Sequence, residues 1–365
     1  MPRSLFSPLI SDNKANPLFV AVRDHVGYRA GRRLMDETSA LFGDQDGNFV
    51  KDFQGPGFSA RTWELSLFAY LHEAGLPLAP TGGTPDYLVE GPARFAIEAT
   101  TTQPAQAGPP APAPVAGLPQ VPDDLDVAQA QFVFQLGKAL RNKLQKRFAD
   151  GSAYWELPHT AGLPFLIAVE AFHADSSLFH SVSFAAEYLY GTHATGEHDA
   201  DGKLTVTSNP ISGHTFDGKT IPSGLFLRPE AARLSAVLFS NSGTAAQFNR
   251  IGAQRGYADP ATLIGRVGTC ADPDPDASLP ALFGYVVGDG WHTETFSEAM
   301  HVLHNPNAVV PLPKRALPCA AEWGEESGLL TTTHHGFSPF GGLTSVYHGP
   351  GALEMVERQL RNFLD

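Results

Sequence analysis

The run Arg94-Phe95-Ala96-Ile97-Glu98-Ala99-Thr100-Thr101-Thr102 reads as a β-strand, rich in apolar and β-branched residues and preceded by a Gly91-Pro92 turn. Side chains alternate across a strand, so Ala96, Glu98, Thr100 and Thr102 share one face while Phe95, Ile97 and Ala99 share the other. Glu98 therefore interrupts an apolar, central strand, where a carboxylate is costly unless a partner such as a metal ion meets it. Any fold for this chain has to answer that one residue.

Two further acids lie just upstream. Trp63, Leu67, Tyr70, Leu71 and Ala74 recur at three- and four-residue spacing and predict a helix, with Ser59 as N-cap, Gly75 as stop and Glu64 on the flank of the apolar face. Residues 76–79 are expected to form a short strand, Pro80-Thr81-Gly82-Gly83 turns the chain, and Asp86-Tyr87-Leu88-Val89 forms the strand before that of Glu98. Separated carboxylates gathered by a helix and a hairpin suit divalent-metal hydrolysis. Mg²⁺ prefers hard oxygen ligands and keeps several waters, so two acids and a backbone carbonyl suffice to hold it. The bound ion lowers the pKa of water and clamps charged oxygens.

Composition narrows the classes. A chain of 365 residues with 42% apolar content can bury a large core as one domain or two. No run of about 18 apolar residues occurs, so no membrane span is expected. Arg3 is followed by Pro8, Asp12, Asn13 and Lys14, which leaves no continuous apolar segment for a secretory signal. The two cysteines, Cys270 and Cys319, form no C-x-x-C pair, which argues against a thiolate zinc cage and makes the cytoplasm the expected compartment. The net charge, 25 − 38 = −13, argues against tight non-specific nucleic-acid binding. Local charge runs the other way twice: Arg29, Arg32 and Arg33 cluster, and Lys138, Arg141, Lys143, Lys146 and Arg147 fall within ten acid-free residues. A solvated helix face is the plainer reading of such a run.

Residues 1–28 read as an irregular lead-in. A helix is predicted over 28–42, and an Ala/Pro/Gly-rich surface loop over 103–122. A long helix follows over 125–148, with Phe132, Leu136, Leu140, Leu144 and Phe148 as its buried stripe. A buried strand over 164–172 and a helix over 179–190 complete the order helix, three strands, helix, strand, helix. Beyond Gly191 the pattern weakens: an excursion with a hairpin to 224, a strand over 235–240, a helix over 243–251, a strand over 282–287, a helix over 296–303 and a terminal amphipathic helix over 353–364.

This order, with Glu64 on the opening helix, Pro85-Asp86 and then Glu98-Ala99-Thr100 twelve residues on from Asp86, resembles the PD-(D/E)XK, or restriction endonuclease-like, nucleases. The resemblance covers roughly residues 29–190, about half the chain, and implies an α/β core with residues 191–365 as a large α/β extension. It further implies Mg²⁺ or Mn²⁺ held by Asp86, Glu98 and the Ala99 carbonyl, with Glu64 on a second ion or a bound water. Nucleic acid would be the substrate, DNA rather than RNA, approaching along the basic helix; a homodimer is one arrangement left open. Thr100 departs from the family, whose lysine at that position positions water and stabilises charge. Lys143, one position before buried Leu144, or else Lys138, is the candidate to replace it from the following helix. A catalytically degenerate binding or assembly module is the alternative. The chain is also similar to an uncharacterised group of bacterial proteins, through Asp46-Gly47-Asn48-Phe49, Arg61-Thr62-Trp63-Glu64-Leu65, Ile97-Glu98-Ala99-Thr100, Gly162-Leu163-Pro164-Phe165 and Leu238-Phe239-Ser240-Asn241-Ser242-Gly243.

Rival motifs are weaker. Gly55-Pro56-Gly57-Phe58-Ser59-Ala60 lacks a preceding strand for a dinucleotide fingerprint. Asp44-Gln45-Asp46-Gly47-Asn48 is too short an acid series for a calcium loop. Glu298, His301 and His304 share a face of the helix expected over 296–303, but a di-metal bundle needs two such pairs. His334-His335 carries no ligand spacing, and Ser240-Asn241-Ser242-Gly243-Thr244 lacks the lysine of a P-loop.

Overall fold

A computed structural model describes residues 3–43, 47–102, 124–172 and 181–365. Its centre is an eight-stranded mixed sheet in the order β1-β2-β3-β4-β9-β12-β13-β14. The strands are β1 (Leu78–Ala79), β2 (Tyr87–Val89), β3 (Phe95–Thr102), β4 (Phe165–Ala171), β9 (Leu234–Ser240), β12 (His301–His304), β13 (Ala321–Glu326) and β14 (Leu329–His334). Strands β1, β2 and β3 are antiparallel neighbours, and β3, β4 and β9 run parallel. Then β12 opposes β9, pairs parallel with β13, and β14 closes the far edge. The sheet takes strands from both sides of residue 190.

Alternation in the central strands sorts the core into two layers. Ile97, Ala99, Leu166, Ala168 and Leu238 pack against α1 (Pro17–Asp24), α2 (Arg29–Phe42), α3 (Phe49–Gln54), α4 (Phe58–Glu73) and α7 (Ala245–Gln254). Ala96, Ile167, Val169, Val237 and Phe239 face the other way, against α5 (Leu125–Gln145) and α6 (Val182–Tyr190). Burial on both faces explains why β4 and β9 read as nearly continuous apolar runs, interrupted by Glu170 in β4 and by Ser235 and Ser240 in β9. Helices α2 and α7 lie unusually close, because a Cβ on Gly252 would stand 2.5 Å from the Ala30 carbonyl oxygen.

A second, antiparallel sheet has the order β11-β10-β15, from β10 (Thr262–Cys270), β11 (Ala281–Val286) and β15 (Pro339–His348). Helix α8 (Ala352–Leu364) packs on it. Residues 191–222 form two hairpins, β5 (Thr192–His198) with β6 (Leu204–Pro210) and β7 (Gly213–Phe216) with β8 (Lys219–Pro222). No helix among the described residues is long and apolar enough to cross a membrane.

Several expectations are corrected. The lead-in contains α1, started by Pro17 at its first turn with Asn16 as the cap. Ser59 lies inside α4, whose N-cap is Gly57. Helix α5 stops at Gln145, three residues short of Phe148, where Lys146 turns out of helical geometry. The helix expected over 296–303 is a single short turn, Phe296–Ala299, followed by β12, because Val302 and Leu303 complete the sheet. The Ala/Pro/Gly loop and residues Asp44-Gln45-Asp46 lie outside the described residues, as does the start of the helix expected at 179.

Candidate active site at the β2–β3 edge

Strand β3 pairs Tyr87 with Ile97, so Asp86 lies just before β2, opposite Glu98 and on the same face of the sheet. Asp86 Oδ2 accepts the Ala99 amide at 2.7 Å. A strand residue turns its N–H and C=O to the same neighbour. The Ala99 carbonyl therefore also faces the Asp86 side, past the start of β2.

Glu98 is only 6% exposed and meets two partners, both on Oε1. Lys143 Nζ lies at 2.5 Å and the Tyr154 hydroxyl donates at 2.8 Å. Lys143 reaches it because α5 buries Leu136, Leu140 and Leu144 against β3 and β4, which leaves the neighbouring position on the rim of the packed face. Tyr154 is fixed by stacking on Phe165 of β4, with ring centroids 5.5 Å apart. No local pattern marks Tyr154, since its partner is 56 residues away.

Charge is unbalanced here. Burial, then the Glu98 carboxylate, push the Asp86 carboxyl up to about 8, opposed by the Ala99 amide; Glu64 adds to the rise and Lys143 works against it. Glu64 is also raised by burial, with Arg61 and Lys143 opposing and Glu98 adding. Arg61 holds Glu64 at 2.7 Å and Asp52 at 2.9 Å, and the Glu64 carbonyl accepts the Tyr87 hydroxyl at 2.7 Å. Three acids thus feel one another and one lysine.

The fit to a metal is selective. Mg²⁺ is held by one or two carboxylates plus water, which suits Asp86 and Glu98 with the Ala99 carbonyl. Glu64, Asp86 and Glu98 do not bring one oxygen each within 4.8 Å of one another, so the three do not form a single closed ligand set.

The remaining basic residues are less concentrated than the sequence implies. Lys138 is exposed and lies about 140° around the helix axis from Lys143, away from the acids. Arg141 sits beside the Tyr188 ring hydroxyl. Arg147 donates to the Leu144 and Lys146 carbonyls and lies over the Trp155 ring, while Lys146 lies over Phe148. Lys138, Lys146 and Arg147 are the exposed cations of this segment, while Arg141 and Lys143 are half-buried.

The rival histidines resolve differently. Glu298 pairs with Arg266 and His292 in a buried network that includes Arg250 and Glu294. His301 is buried in β12, and burial lowers its pKa to about 4. The Ser240–Thr244 loop faces the buried Glu170 carboxyl, which a Cβ on Gly243 would approach to 2.9 Å. Burial pushes Glu170 up to about 8 against the Ser240 hydroxyl and Gly243 amide. The Gly243 amide is therefore taken up by Glu170 and is not left open for a phosphate.

No protein-family model, curated protein or solved structure matches the chain.

Proposed function

We propose that the chain is a Mg²⁺- or Mn²⁺-dependent nuclease of the PD-(D/E)XK type, hydrolysing phosphodiester bonds with Asp86 and Glu98 as metal-binding acids. The carrying observation is the Lys143 ammonium 2.5 Å from Glu98, which supplies from α5 the positive charge missing at Thr100. The run α4, β1–β3, α5, β4, with β2 antiparallel and β4 parallel to β3, supports the same reading.

A bound divalent ion would supply an acidified water and neutralise charge on the phosphate. The chain's own groups do the rest. Tyr154 fixes the Glu98 carboxylate, and the Ala99 amide fixes Asp86. An ammonium has three donors, and Lys143 uses one on Glu98, so another can orient the attacking water or meet a phosphate oxygen. Arg61 holds Glu64 at the rim, where it can order water. In the reaction water adds to phosphorus, the bond to the leaving oxygen breaks, and that oxygen takes up a proton. Lys138 and Lys146 would guide the nucleic-acid backbone, DNA in preference to RNA.

The test is cleavage of supercoiled plasmid, linear duplex, single-stranded DNA and RNA with Mg²⁺ or Mn²⁺. Metal-dependent cleavage lost in Asp86→Asn and Glu98→Gln is expected. Binding without cleavage of any substrate would turn the reading to the degenerate module that Thr100 and the net charge of −13 favour.

A further inference from the structure

We propose that Cys319, Glu322 and His335 form a Zn²⁺ site that clips the far edge of the eight-stranded sheet, independent of the carboxylates at the β2–β3 edge. One ligand atom from each of the three lies within 4.8 Å of the others. Three segments supply them: Cys319 precedes β13, Glu322 is its second residue, and His335 follows β14. The β13–β14 ladder pairs Ala321 with His334. That register puts Glu322 and His335 on one face as diagonal neighbours, while the His335 amide is held by the Ala320 carbonyl at 2.9 Å.

The separation of His335 from Glu322 matches that of two ligands on a tetrahedral ion. Ligands about 2.0–2.3 Å from zinc stand roughly 3.3–3.7 Å apart at tetrahedral angles, and His335 Nε2 lies 3.3 Å from Glu322 Oε2. A charge-assisted N–H···O bond would be about 2.7–2.9 Å. The other oxygen, Oε1, accepts the Arg315 amide at 2.7 Å, with His304 Nε2 at 3.3 Å, so the carboxylate is oriented from behind as zinc-bound carboxylates are. The Cys319 sulfur accepts the Val302 amide, while burial and then the Glu322 charge push its thiol up to about 12, so a bound ion has to displace that proton. Sulfur, imidazole and carboxylate together favour zinc over Mg²⁺. The His335 side chain, 26% exposed, lets water complete the fourth position.

The sequence hid this site, because one cysteine and a carboxylate three residues on form no recognised ligand pattern, and His335 joins them only through the sheet.

The test uses the full chain, stripped with chelator and then titrated with Zn²⁺ and with Co²⁺. It is run in wild type and in Asp86→Asn/Glu98→Gln, so that metal at the other site does not count. One Zn²⁺ per chain is expected in the Asp86→Asn/Glu98→Gln background, with affinity at least tenfold weaker when Cys319→Ser or His335→Ala is added. Co²⁺ in the unmutated cluster should show a sulfur-to-metal charge-transfer band that Cys319→Ser abolishes. Zinc affinity unchanged by either substitution overturns the proposal, and so does a Co²⁺ spectrum without that band. Because the spectrum is read on protein with an intact cluster, a poorly folded variant cannot decide the matter. Failure of nuclease activity leaves the result untouched.

Discussion

Replacing Lys143 by Met tests the candidate active site most directly. The substitution keeps an unbranched apolar stem, one atom shorter, and removes the ammonium with its charge and its donors. The ammonium is 2.5 Å from Glu98 Oε1, with the lysine side chain 26% exposed and that of Glu98 8% exposed. Breaking a fully buried pair costs about 3–5 kcal/mol because a charge is left uncompensated. Here Lys143 is partly solvated and Glu98 keeps the Tyr154 hydroxyl, so about 1–3 kcal/mol is expected in urea unfolding without metal. Saturating Mg²⁺ should recover most of that loss, since a cation between Asp86 and Glu98 replaces the missing charge and stabilises by mass action. Cleavage should still fall by about 10²–10³-fold, as for loss of one donor to a developing charge. Restoring a lysine at Thr100, on the same face as Glu98, should return at least tenfold of the lost rate in Thr100→Lys/Lys143→Met. Cleavage by Lys143→Met within threefold of wild type would refute the assignment of Lys143. A stability loss indifferent to Mg²⁺ would refute the metal reading of Asp86 and Glu98.

Three further outcomes are expected. Asp86 has a raised folded-state pKa, so below about 8 it holds a proton that Mg²⁺ must displace. Apparent Mg²⁺ affinity should therefore rise with pH up to that region, by as much as about tenfold per pH unit, and calorimetry showing affinity flat from pH 6 to 9 would count against it. Glu170 is raised to about 8 by burial, so the folded state binds its proton more tightly than the unfolded chain does. Its contribution is fully present below the ordinary glutamate range and is lost as pH climbs towards 8, at about 1.4 kcal/mol per pH unit; Glu170→Gln should flatten this part of the pH–stability profile. Glu294 pairs with Arg250 through both oxygens at 2.7 Å and with Arg266 at 3.5 Å, almost wholly buried. Glu294→Gln, which leaves two buried guanidinium groups facing one remaining carboxylate, should lower stability by about 3–5 kcal/mol, measured by thermal or urea unfolding.

The half of the chain before Gly191 was legible because its elements carry full periodic signals. Helix α5 shows Phe132, Leu136, Leu140 and Leu144 at helical spacing, and β4 is a nearly continuous apolar run broken by Glu170 alone. Later strands failed that test for a physical reason. In β15 the run Gly341-Gly342-Leu343-Thr344-Ser345 is only partly buried on both faces, so it shows neither alternation nor a continuous apolar stretch. Strand β12 has four residues, too few to separate a strand from a helix by period, and Glu298 with His301 mimicked a helical face across what is a short turn and a strand. The single short turn there is held by long-range contacts that no local pattern encodes, such as the Phe296 amide donating to Glu73 at 2.7 Å.

At the site the limit of sequence reasoning falls between Glu98 and its partners. Glu98 was legible because an acid in an apolar strand is costly in any fold, whatever surrounds it. Its need for a cation followed from the same argument, but the source did not, because 45 residues of chain separate Lys143 from it. The helix narrowed the choice. Positions next to the buried stripe of α5 can reach the sheet, which favours Lys143 beside Leu144 over Lys138, and Lys138 turns to solvent. A lysine on β3 itself would be anchored by the same strand as the acid, whereas Lys143 is held only as firmly as α5 packs on β3. Weakening that packing, for example by Leu140→Ala, should therefore slow cleavage by more than its effect on the folded fraction explains. Thr100→Lys/Lys143→Met should be less sensitive to the same change, a comparison that separates a migrated lysine from a neighbour that merely neutralises Glu98.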